Sequence, residues 1–402
     1  MLELEAALER ILSRLPPAQP EPVELARAHR RFLAKRIISP IDLPGLDNSS
    51  MDGYAVRAAD LAGAGAETPV KLKLAGRVAA GQIFAGEMAG GNCVRIFTGS
   101  PLPRGADAVV MQEDTRLDSM QPGVIRFLEA VKPWENIRFR GEDLKAGAAL
   151  AEAGDELTAG RVNLFAAAGF TRVEAGRRPV LGLLASGSEL LEAGQALAAE
   201  KIYESNRLGL AALAMQAGAI PRIFPLVPDA AAETRAGLET AFAECDLVVT
   251  SGGVSVGEMD FIKSAFEQMG GVLEFWKVAM RPGRPFVFGR CGGKFLFGLP
   301  GNPVSAFITF LLLVRPAVLR WQGATAVKLP AHPATLAEPL MNPANRRHFM
   351  RVAMDDDGMA RSAGAQASHM LASLAAANGL VDVPPETTLS AGALVRVMRW
   401  DA

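Results

Sequence analysis

Hydrophobic residues near the N-terminus recur at helical spacing. Leu4, Leu8, Ile11 and Leu15 lie three or four residues apart, and two prolines follow. We therefore predict a helix that ends before the prolines. A second helical stretch is predicted from about 23 to 36.

After residue 40 the pattern changes to short β-type runs separated by turns rich in Gly and Pro. The clearest runs are Val70–Leu74, Cys93–Phe97, Ala108–Gln112 and Val124–Phe127. They predict a β-rich domain at 42–140. Residues 141–176 contain turns and one predicted helix at about 159–168. If this segment packs with residues 1–41, the β-rich domain is inserted into a split helical domain, an arrangement that the pattern permits but does not require.

Continuous apolar strands alternate with helices from 177 to 322. The helices are predicted at about 207–217, 230–243, 260–269 and 304–319. This alternation predicts an α/β domain with a mostly parallel sheet that is covered on both faces. Short strands return from 323 to 402 and predict a small C-terminal β-barrel. The fold class is therefore multidomain α/β plus β.

Composition narrows the functional classes. The 402 residues include 42 Lys and Arg against 43 Asp and Glu, for a net charge of -1. Such a balance gives no sign of a nucleic-acid partner. The N-terminus lacks the basic start and apolar run of a secretory signal. The longest apolar run, Val304 to Val314, is about half of what a bilayer requires. We expect a cytoplasmic protein with no membrane segment, in which this run forms a buried helix.

The cysteines and histidines are few and scattered. Three Cys and four His form no metal-binding motif, which argues against a disulfide framework and a thiolate zinc site. If a metal is used, carboxylates and phosphates must hold it, and Mg²⁺ prefers such ligands.

Three loops rich in Gly follow predicted strands, at the sheet edge where doubly wound folds bind ligands. Their candidate binding residues are Ser186, Gly187, Ser251, Gly252, Gly253, Pro300, Gly301, Asn302 and Pro303. Glycines let a ligand approach backbone N–H groups, and the following helix N-termini favour an anion. These loops predict a phosphate site, although the same residues also make ordinary tight turns.

Two sets of charged residues are further candidates. In one extended strand, the side chains of Lys277 and Arg281 would point to the same side, and Arg284 follows. An oxyanion ligand would explain these cations, and a solvated strand end is the alternative.

Carboxylates in turn-like settings are Asp52, Asp143, Glu189, Asp229 and Asp260. One or two of them would suffice for Mg²⁺ beside phosphates. A single carboxylate in a loop is usually a surface or capping residue, and Asp229 suits a helix N-cap.

Taken together, long stretches of the chain resemble the MoeA family, which includes the E domain of gephyrin. The matching segments cover nearly the whole chain: LPGLDNSSMDGYAV (43–56), VRIFTGSPLPRGADAVVMQED (94–114), IRFRGEDLKAG (137–147), TSGGVSVGEMDF (250–261), FWKVAMRPGRPFVFG (275–289), LFGLPGNPVSAF (296–307) and SHMLASLAAANGLVDVP (368–384).

The resemblance implies an elongated homodimer of four domains, with a MogA-like α/β domain and an inserted β-rich domain. It implies an active site formed by the α/β domain of one subunit and the other domains of its partner. The implied substrates are molybdopterin-AMP and molybdate. The resemblance further implies that molybdenum enters the dithiolene while a divalent metal assists cleavage of the adenylate to AMP. A molybdopterin adenylyltransferase would act upstream.

The resemblance also assigns roles to residues. Asp52, Thr98, Asp143, Glu189, Lys277 and Arg281 match catalytic positions; Glu189, Asp229 and Asp260 match positions near the metal. Pro300 and Pro303 shape a loop, while Arg351 and Ser368 match C-terminal positions at the same cleft.

The chain departs from the family pattern at four positions. Ser188 stands where the usual TGDEL has a carboxylate, and Glu204 stands where Asp is usual. Arg281 and Arg284 replace common lysines, which keeps the charge. If the carboxylate lost at Ser188 is a metal ligand, magnesium affinity should fall.

The resulting hypothesis is electrostatic and positional catalysis of molybdenum insertion, with Mg²⁺ and Lys277 stabilising the phosphoanhydride and Arg281 holding molybdate. Two alternatives stay open. One is adenylylation of molybdopterin, against which the additional domains argue. The other is a scaffold that binds the cofactor but has lost catalysis, and the replacement of the usual carboxylate by Ser188 is the reason to consider it.

Overall fold

The computed structural model describes residues 1–253 and 261–401. The chain divides into two compact units. One comprises Met1–Lys35, Ala153–Ala159 and Arg172–Ala402, and the other comprises Arg36–Glu152 and Gly160–Thr171. The predicted four-domain division is finer than this one, and its boundaries stay a prediction.

The N-terminal segment begins with helix α1, Leu4–Arg14, which ends before the prolines as predicted. Its Leu4, Ala7 and Ile11 are buried. The predicted second helix at about 23–36 is wrong. Residues Pro20–Glu24 form strand β1, a single 3₁₀ turn follows at Leu25–Arg27, and β1 pairs with residues 172–176. Pairing with a strand distant in sequence prevails here over the local preference for a helix.

The second unit is rich in short strands, as the sequence predicted. They are β2 Ile37–Ile38, β3 Asn48–Ser49, β4 Gly53–Val56, β5 Val70–Val78, β6 Asn92–Ile96, β7 Ala108–Met111, β8 Thr115–Leu117, β9 Val124–Phe127, β10 Ile137–Arg138 and β11 Ala149–Ala151. Six of them form a sheet in the order β7-β4-β6-β5-β9-β8. Buried Leu72, Val110 and Phe127 belong to its core. Most of helix α2, Ala159–Ala167, also lies in this unit.

The α/β part of the first unit follows. Its elements are β12 Arg172–Gly176, β13 Val180–Ala185, β14 Leu190–Leu191, β15 Ile202–Tyr203, α3 Asn206–Gln216, β16 Ile220–Ile223, α4 Ala231–Glu244, β17 Leu247–Ser251, α5 Phe261–Gln268, β18 Val272–Lys277, β19 Met280–Arg281, β20 Pro285–Cys291, β21 Lys294–Leu299, α6 Pro303–Thr309 and α7 Arg315–Trp321. A six-stranded sheet has the order β16-β13-β17-β21-β20-β18. Its first four strands run parallel and the last two are antiparallel to their neighbours.

Both faces of this sheet are buried. Successive side chains of a strand point to opposite sides, so neighbouring residues of one strand belong to different clusters. Leu183 and Val249 pack in the cluster that contains α3 and α6 residues. Leu184 and Val248 pack in a second cluster with residues of α4 and α5. A strand buried on both faces must be apolar throughout, which explains the continuous hydrophobic runs.

A π-helical segment, Phe310–Val314, joins α6 to α7. The helical stretch Pro303–Trp321 is long and apolar enough to span a membrane by length and composition, but 83% of its most apolar window is buried inside the protein. The prediction of a buried helix is therefore confirmed.

The C-terminal part contains β22 Ala331–Leu336, β23 Leu340–Asn342, β24 Arg347–Met354, β25 Met359–Ser362, α8 Leu371–Ala375, β26 Gly379–Val383, β27 Thr387–Leu389 and β28 Leu394–Arg399. Strand β22 pairs with β28, β28 with β26, β26 with β24, β24 with β25 and β25 with β22. The circle closes, so the predicted small β-barrel is confirmed.

We expect Phe288→Ala to destabilise the first unit by about 3–5 kcal/mol, because it leaves a cavity in the core. Phe288 is fully buried, and its ring lies 5.3 Å from that of Phe297 and 5.7 Å from that of Phe275. Urea unfolding followed by circular dichroism measures the loss. Leu394→Ala is the control, since Leu394 is 83% exposed. Equal stability of the two variants would contradict the packing.

Candidate functional site

A cavity of about 710 Å³ lies at the carboxyl ends of the parallel strands. Strand register places its loops together, because Ala185 is opposite Ser251 and Ser251 is opposite Leu299. All three predicted loops contribute to the lining with Ser186, Gly187, Ser251, Gly252, Gly253, Gly301, Asn302 and Pro303. Of the predicted carboxylates, Glu189 and Asp229 line it too.

The loop after β17 depends on two glycines with positive φ, +87° at Gly252 and +66° at Gly253. A Cβ atom on Gly252 would lie 2.6 Å from the backbone oxygen of Ser186. The loops after β13 and β17 therefore approach as closely as their backbones permit. Only glycine allows this approach together with a left-handed backbone.

Asn206 connects two of the loops and was missed by the sequence prediction. Its side-chain amide donates hydrogen bonds to the Ser251 hydroxyl at 2.6 Å and to the Gly301 carbonyl at 2.8 Å. Asn206 is also the first residue of α3. An Asn directly before a predicted helix was the available signal, but it suits an ordinary N-cap equally well.

Ser188 and Asp229 are joined by two hydrogen bonds, one donated by each residue. The backbone N–H of Ser188 donates to an Asp229 carboxylate oxygen at 3.0 Å, and the Asp229 N–H donates to the Ser188 hydroxyl at 3.2 Å. Lys201 donates to the Ser188 carbonyl. The hydroxyl at position 188 thus ties the loop after β13 to the segment before α4.

Glu204 forms a buried ion pair with Arg207. The two side chains are bonded at 2.8 Å, and each is 3% exposed. Glu204 also accepts the backbone N–H of Arg207 at 2.9 Å, while Arg207 reaches Glu192 at 2.8 Å. This network joins the segment that follows β13 to the start of α3, beside the cavity wall.

The described lining residues of the cavity include no Lys or Arg. The ionisable ones besides Glu189 and Asp229 are Glu204, which is paired with Arg207, Tyr203 and His369. The lining therefore carries a surplus of carboxylates. A phosphate is repelled by such a lining unless a cation accompanies it.

The predicted cations do not line this cavity. Lys277 ends β18, and its Nζ lies 5.1 Å from the centre of the Trp276 ring. Arg281 belongs to β19, which pairs with β24 of the C-terminal part. The expectation of one extended strand through both residues is wrong, because β18 and β19 belong to different sheets. Arg284 is exposed, and its carbonyl accepts the Val278 N–H at 3.1 Å.

Arg281 lines a second cavity, of about 490 Å³, together with His348. Burial, followed by the charges of Arg281 and Arg351, lowers the pKa of His348 to about 4. The histidine is therefore neutral at physiological pH. Neither ring nitrogen has a hydrogen-bond partner among the described residues.

The two C-terminal candidates differ in their surroundings. Arg351 is fully buried, and its guanidinium donates to the Ser373 hydroxyl at 3.0 Å and the Ala365 carbonyl at 2.6 Å. Ser368 accepts a hydrogen bond from Asn302 at 3.1 Å, which brings it to the rim of the 710 Å³ cavity. Pro300 is buried directly after β21.

In the second unit the structure brings Asp52 and Thr98 together. One Asp52 carboxylate oxygen accepts both the backbone N–H and the hydroxyl of Thr98, each at 2.8 Å. Both bonds lower the pKa of Asp52 below its ordinary value, and the bond from the backbone has the larger effect. Asp143 is exposed, and its N–H donates to the Leu43 carbonyl at 3.1 Å.

The predicted metal position Asp260 lies outside the described residues. Among the residues that the structure describes, no group of three or more His, Cys, Asp or Glu side chains is arranged to hold a metal ion. Glu189 and Asp229 are nevertheless two carboxylates on one cavity. One or two carboxylates beside phosphates and waters are what Mg²⁺ usually takes from a protein.

Three family models match consecutive parts of the chain. The MoeA N-terminal region (domain I and II) matches residues 2–169, a probable molybdopterin binding domain matches 182–320, and the MoeA C-terminal region (domain IV) matches 333–400. A molybdopterin molybdenumtransferase from Haemophilus influenzae is 39% identical over 99% of this chain and 98% of its own length. The chain belongs to the MoeA family.

Further relatives agree with this membership. Molybdopterin molybdenumtransferase 2 of Mycobacterium tuberculosis is 37% identical over 95% of each chain. The crystal structure of the molybdopterin biosynthesis MoeA protein from Pyrococcus horikoshii is 29% identical, covers all of both chains and has a TM-score of 0.85. The MoeA fold expected from the resemblance is thereby confirmed.

We expect Gly252→Ala to disturb the site more than Gly194→Ala. Both residues have positive φ, +87° and +92°, but a Cβ atom at Gly194 would meet no atom within 4 Å. Both variants therefore incur the cost of a left-handed alanine, about 1–2 kcal/mol. Only Gly252→Ala adds a collision with the Ser186 backbone, worth about 1–3 kcal/mol more. Thermal unfolding measures the difference, and equal melting temperatures would contradict the close approach of the two loops.

We expect Thr98→Val to raise the pKa of Asp52, because the valine removes one of two hydrogen bonds to the carboxylate. A carboxyl group whose pKa is lowered in the folded state stabilises the fold above its unfolded pKa. That contribution is lost as the pH falls through the folded pKa. Carbon-13 NMR titration of the carboxyl groups measures the shift, with Asp52→Asn identifying the resonance. An unchanged titration in Thr98→Val would show that the hydroxyl does not hold the carboxylate.

Proposed function

We propose that this chain is a molybdopterin molybdenumtransferase that inserts molybdenum from molybdate into the dithiolene of adenylylated molybdopterin and releases AMP. The relatives that it resembles over nearly their whole length are named molybdopterin molybdenumtransferases. The chain's own 710 Å³ cavity adds independent support, because it lies where doubly wound sheets bind ligands.

The carboxylate surplus of the cavity is the observation that carries the proposal. A phosphoanhydride is anionic, and no Lys or Arg occurs among the described lining residues to receive it. A divalent cation resolves this conflict, so we assign Mg²⁺ as the cofactor and Glu189 and Asp229 as the residues that would hold it. When bound, Mg²⁺ supplies charge neutralisation for the phosphate oxygens and the leaving group.

The protein residues orient the substrate. Ser251, Gly252 and Gly253 line the cavity at the end of β17. Asn206 fixes this loop to Gly301. Such preorganised groups lower the barrier because they need no rearrangement during the reaction.

We further propose that Lys277 and Arg281 act on the anionic substrates, with Arg281 as the ligand of molybdate. The position of Arg281 supports this role, because its side chain lines a cavity of its own together with His348 and Glu338. Asp52, Thr98 and Asp143 stay proposed catalytic residues. A homodimeric, cytoplasmic enzyme that receives its substrate from an upstream adenylyltransferase completes the proposal.

The test is AMP release from purified molybdopterin-AMP with Mg²⁺, with and without molybdate. We expect molybdate-dependent release together with active cofactor. Lys277→Ala should lower the rate by about 10²–10³, the usual cost of losing one preorganised charge-stabilising group. Lys328→Ala is the matched control, since Lys328 is exposed and lines a different cavity.

Three results would contradict the proposal. Binding of the adenylate without release would favour a scaffold. Consumption of ATP with molybdopterin would indicate an adenylyltransferase. Equal rates for Lys277→Ala and the control would remove Lys277 from the mechanism.

A further inference from the structure

A third cavity, of about 260 Å³, lies in the first unit, and its described lining residues are all different from those of the 710 Å³ cavity. Its wall combines Phe32 of the N-terminal segment, the end of α3, the helical stretch around Arg315, and Trp400 at the C-terminus. Among the described residues, none of the predicted site residues lines it. Its chemistry therefore needs an explanation apart from the proposed reaction.

Arginines dominate the charge of this cavity. Arg30, Arg178 and Arg315 line it, against the carboxylates of Glu156 and Asp401. Asp401 is already bonded to Arg399 at 2.8 and 2.9 Å. The lining is therefore net positive.

Two of these arginines are poorly compensated. The Nε atom of Arg178 is buried and has no hydrogen-bond partner among the described residues. Burial, then the charge of Arg31, lowers the pKa of Arg178, and the charge of Glu21 opposes these effects. Arg315 donates to the Val327 carbonyl at 3.0 Å, and burial lowers its pKa while the charge of Glu156 opposes that effect. Partly buried cations of this kind are costly unless an anion accompanies them.

Apolar side chains form the smaller part of the wall. Phe32, Leu213, Leu311, Leu319 and Trp400 face the same space. A cavity in which charged groups converge beside apolar side chains can hold a small molecule that has both a charged group and an apolar body. Its size suits a small organic anion better than a bare ion.

We propose that this cavity binds a small molecule that carries a phosphate or carboxylate group, with Arg178 and Arg315 as the ligands of the oxyanion and the apolar wall against its body. Guanidinium groups match both oxyanions in shape and charge. The site is separate from the one proposed for molybdenum insertion, and neither proposal rests on the other.

Trp400 provides the readout, because it lines the cavity. Purified protein is titrated with inorganic phosphate, and in a second arm with succinate, at constant ionic strength set by chloride. We expect a saturable change in tryptophan emission with at least one of the two probes, absent in Trp400→Phe. Arg178→Gln and Arg315→Gln should each weaken binding about 10- to 100-fold, as expected for the loss of a charged hydrogen bond. Arg320→Gln is the matched control, since Arg320 belongs to α7 but is exposed and lines another cavity.

Thermal unfolding separates this role from a structural one. Without added anion, Arg315→Gln should melt at or above the wild-type temperature, because it removes a desolvated charge. It should also lose the rise in melting temperature that the bound probe gives the wild type. The proposal is overturned if neither probe gives a saturable change in the wild type, or if both arginine variants bind as well as Arg320→Gln. It is also overturned if Arg315→Gln melts lower than wild type and keeps the full anion-dependent rise.

Discussion

Parallel pairing of the buried strands β13, β17 and β21 sets the positions of the loops at the 710 Å³ cavity. Each strand is apolar on both faces, so a shift of register would expose or mispair a whole strand. With Ala185 opposite Ser251 and Ser251 opposite Leu299, the three strands end at one level. The loops that follow therefore begin side by side, and the hydrophobic core determines where the polar groups meet.

Charged residues of the first unit line three separate cavities. Carboxylates line the large cavity, Arg281 lies beside neutral His348 at another, and Arg178 and Arg315 line a third. The separation is partial, because Glu338 lines the cavity of Arg281, while Glu156 and Asp401 line that of Arg178 and Arg315. The carboxylates of the large cavity and the surplus of arginines in the third each favour a ligand of the opposite charge.

The sequence predicted the elements that depend on local pattern and failed where distant contacts decide. The strand Val124–Phe127 and the start of α2 at Ala159 have the predicted bounds, because periodicity and turn residues identify them. The helix predicted at 23–36 gave way to β1, whose partner lies about 150 residues away along the chain. Likewise, the alternation of side chains along a strand could not reveal that the chain leaves one sheet after Lys277 and joins another at Met280. The loops of the cavity were predicted because they follow recognisable strands, whereas Asn206 was not, because its partners belong to two other loops.

The reciprocal bonds between Ser188 and Asp229 bear on the balance between an empty and a loaded site. A third carboxylate close to Glu189 and Asp229 would strengthen the attraction for a divalent ion, but it would add like-charge repulsion whenever the ion is absent. Ser188 replaces that repulsion with a neutral hydrogen bond to the Asp229 backbone. The loop thus carries less like-charge repulsion than it would with a third carboxylate. On the proposal that Mg²⁺ binds to Glu189 and Asp229, the same replacement would weaken the hold on the cation and speed its exchange.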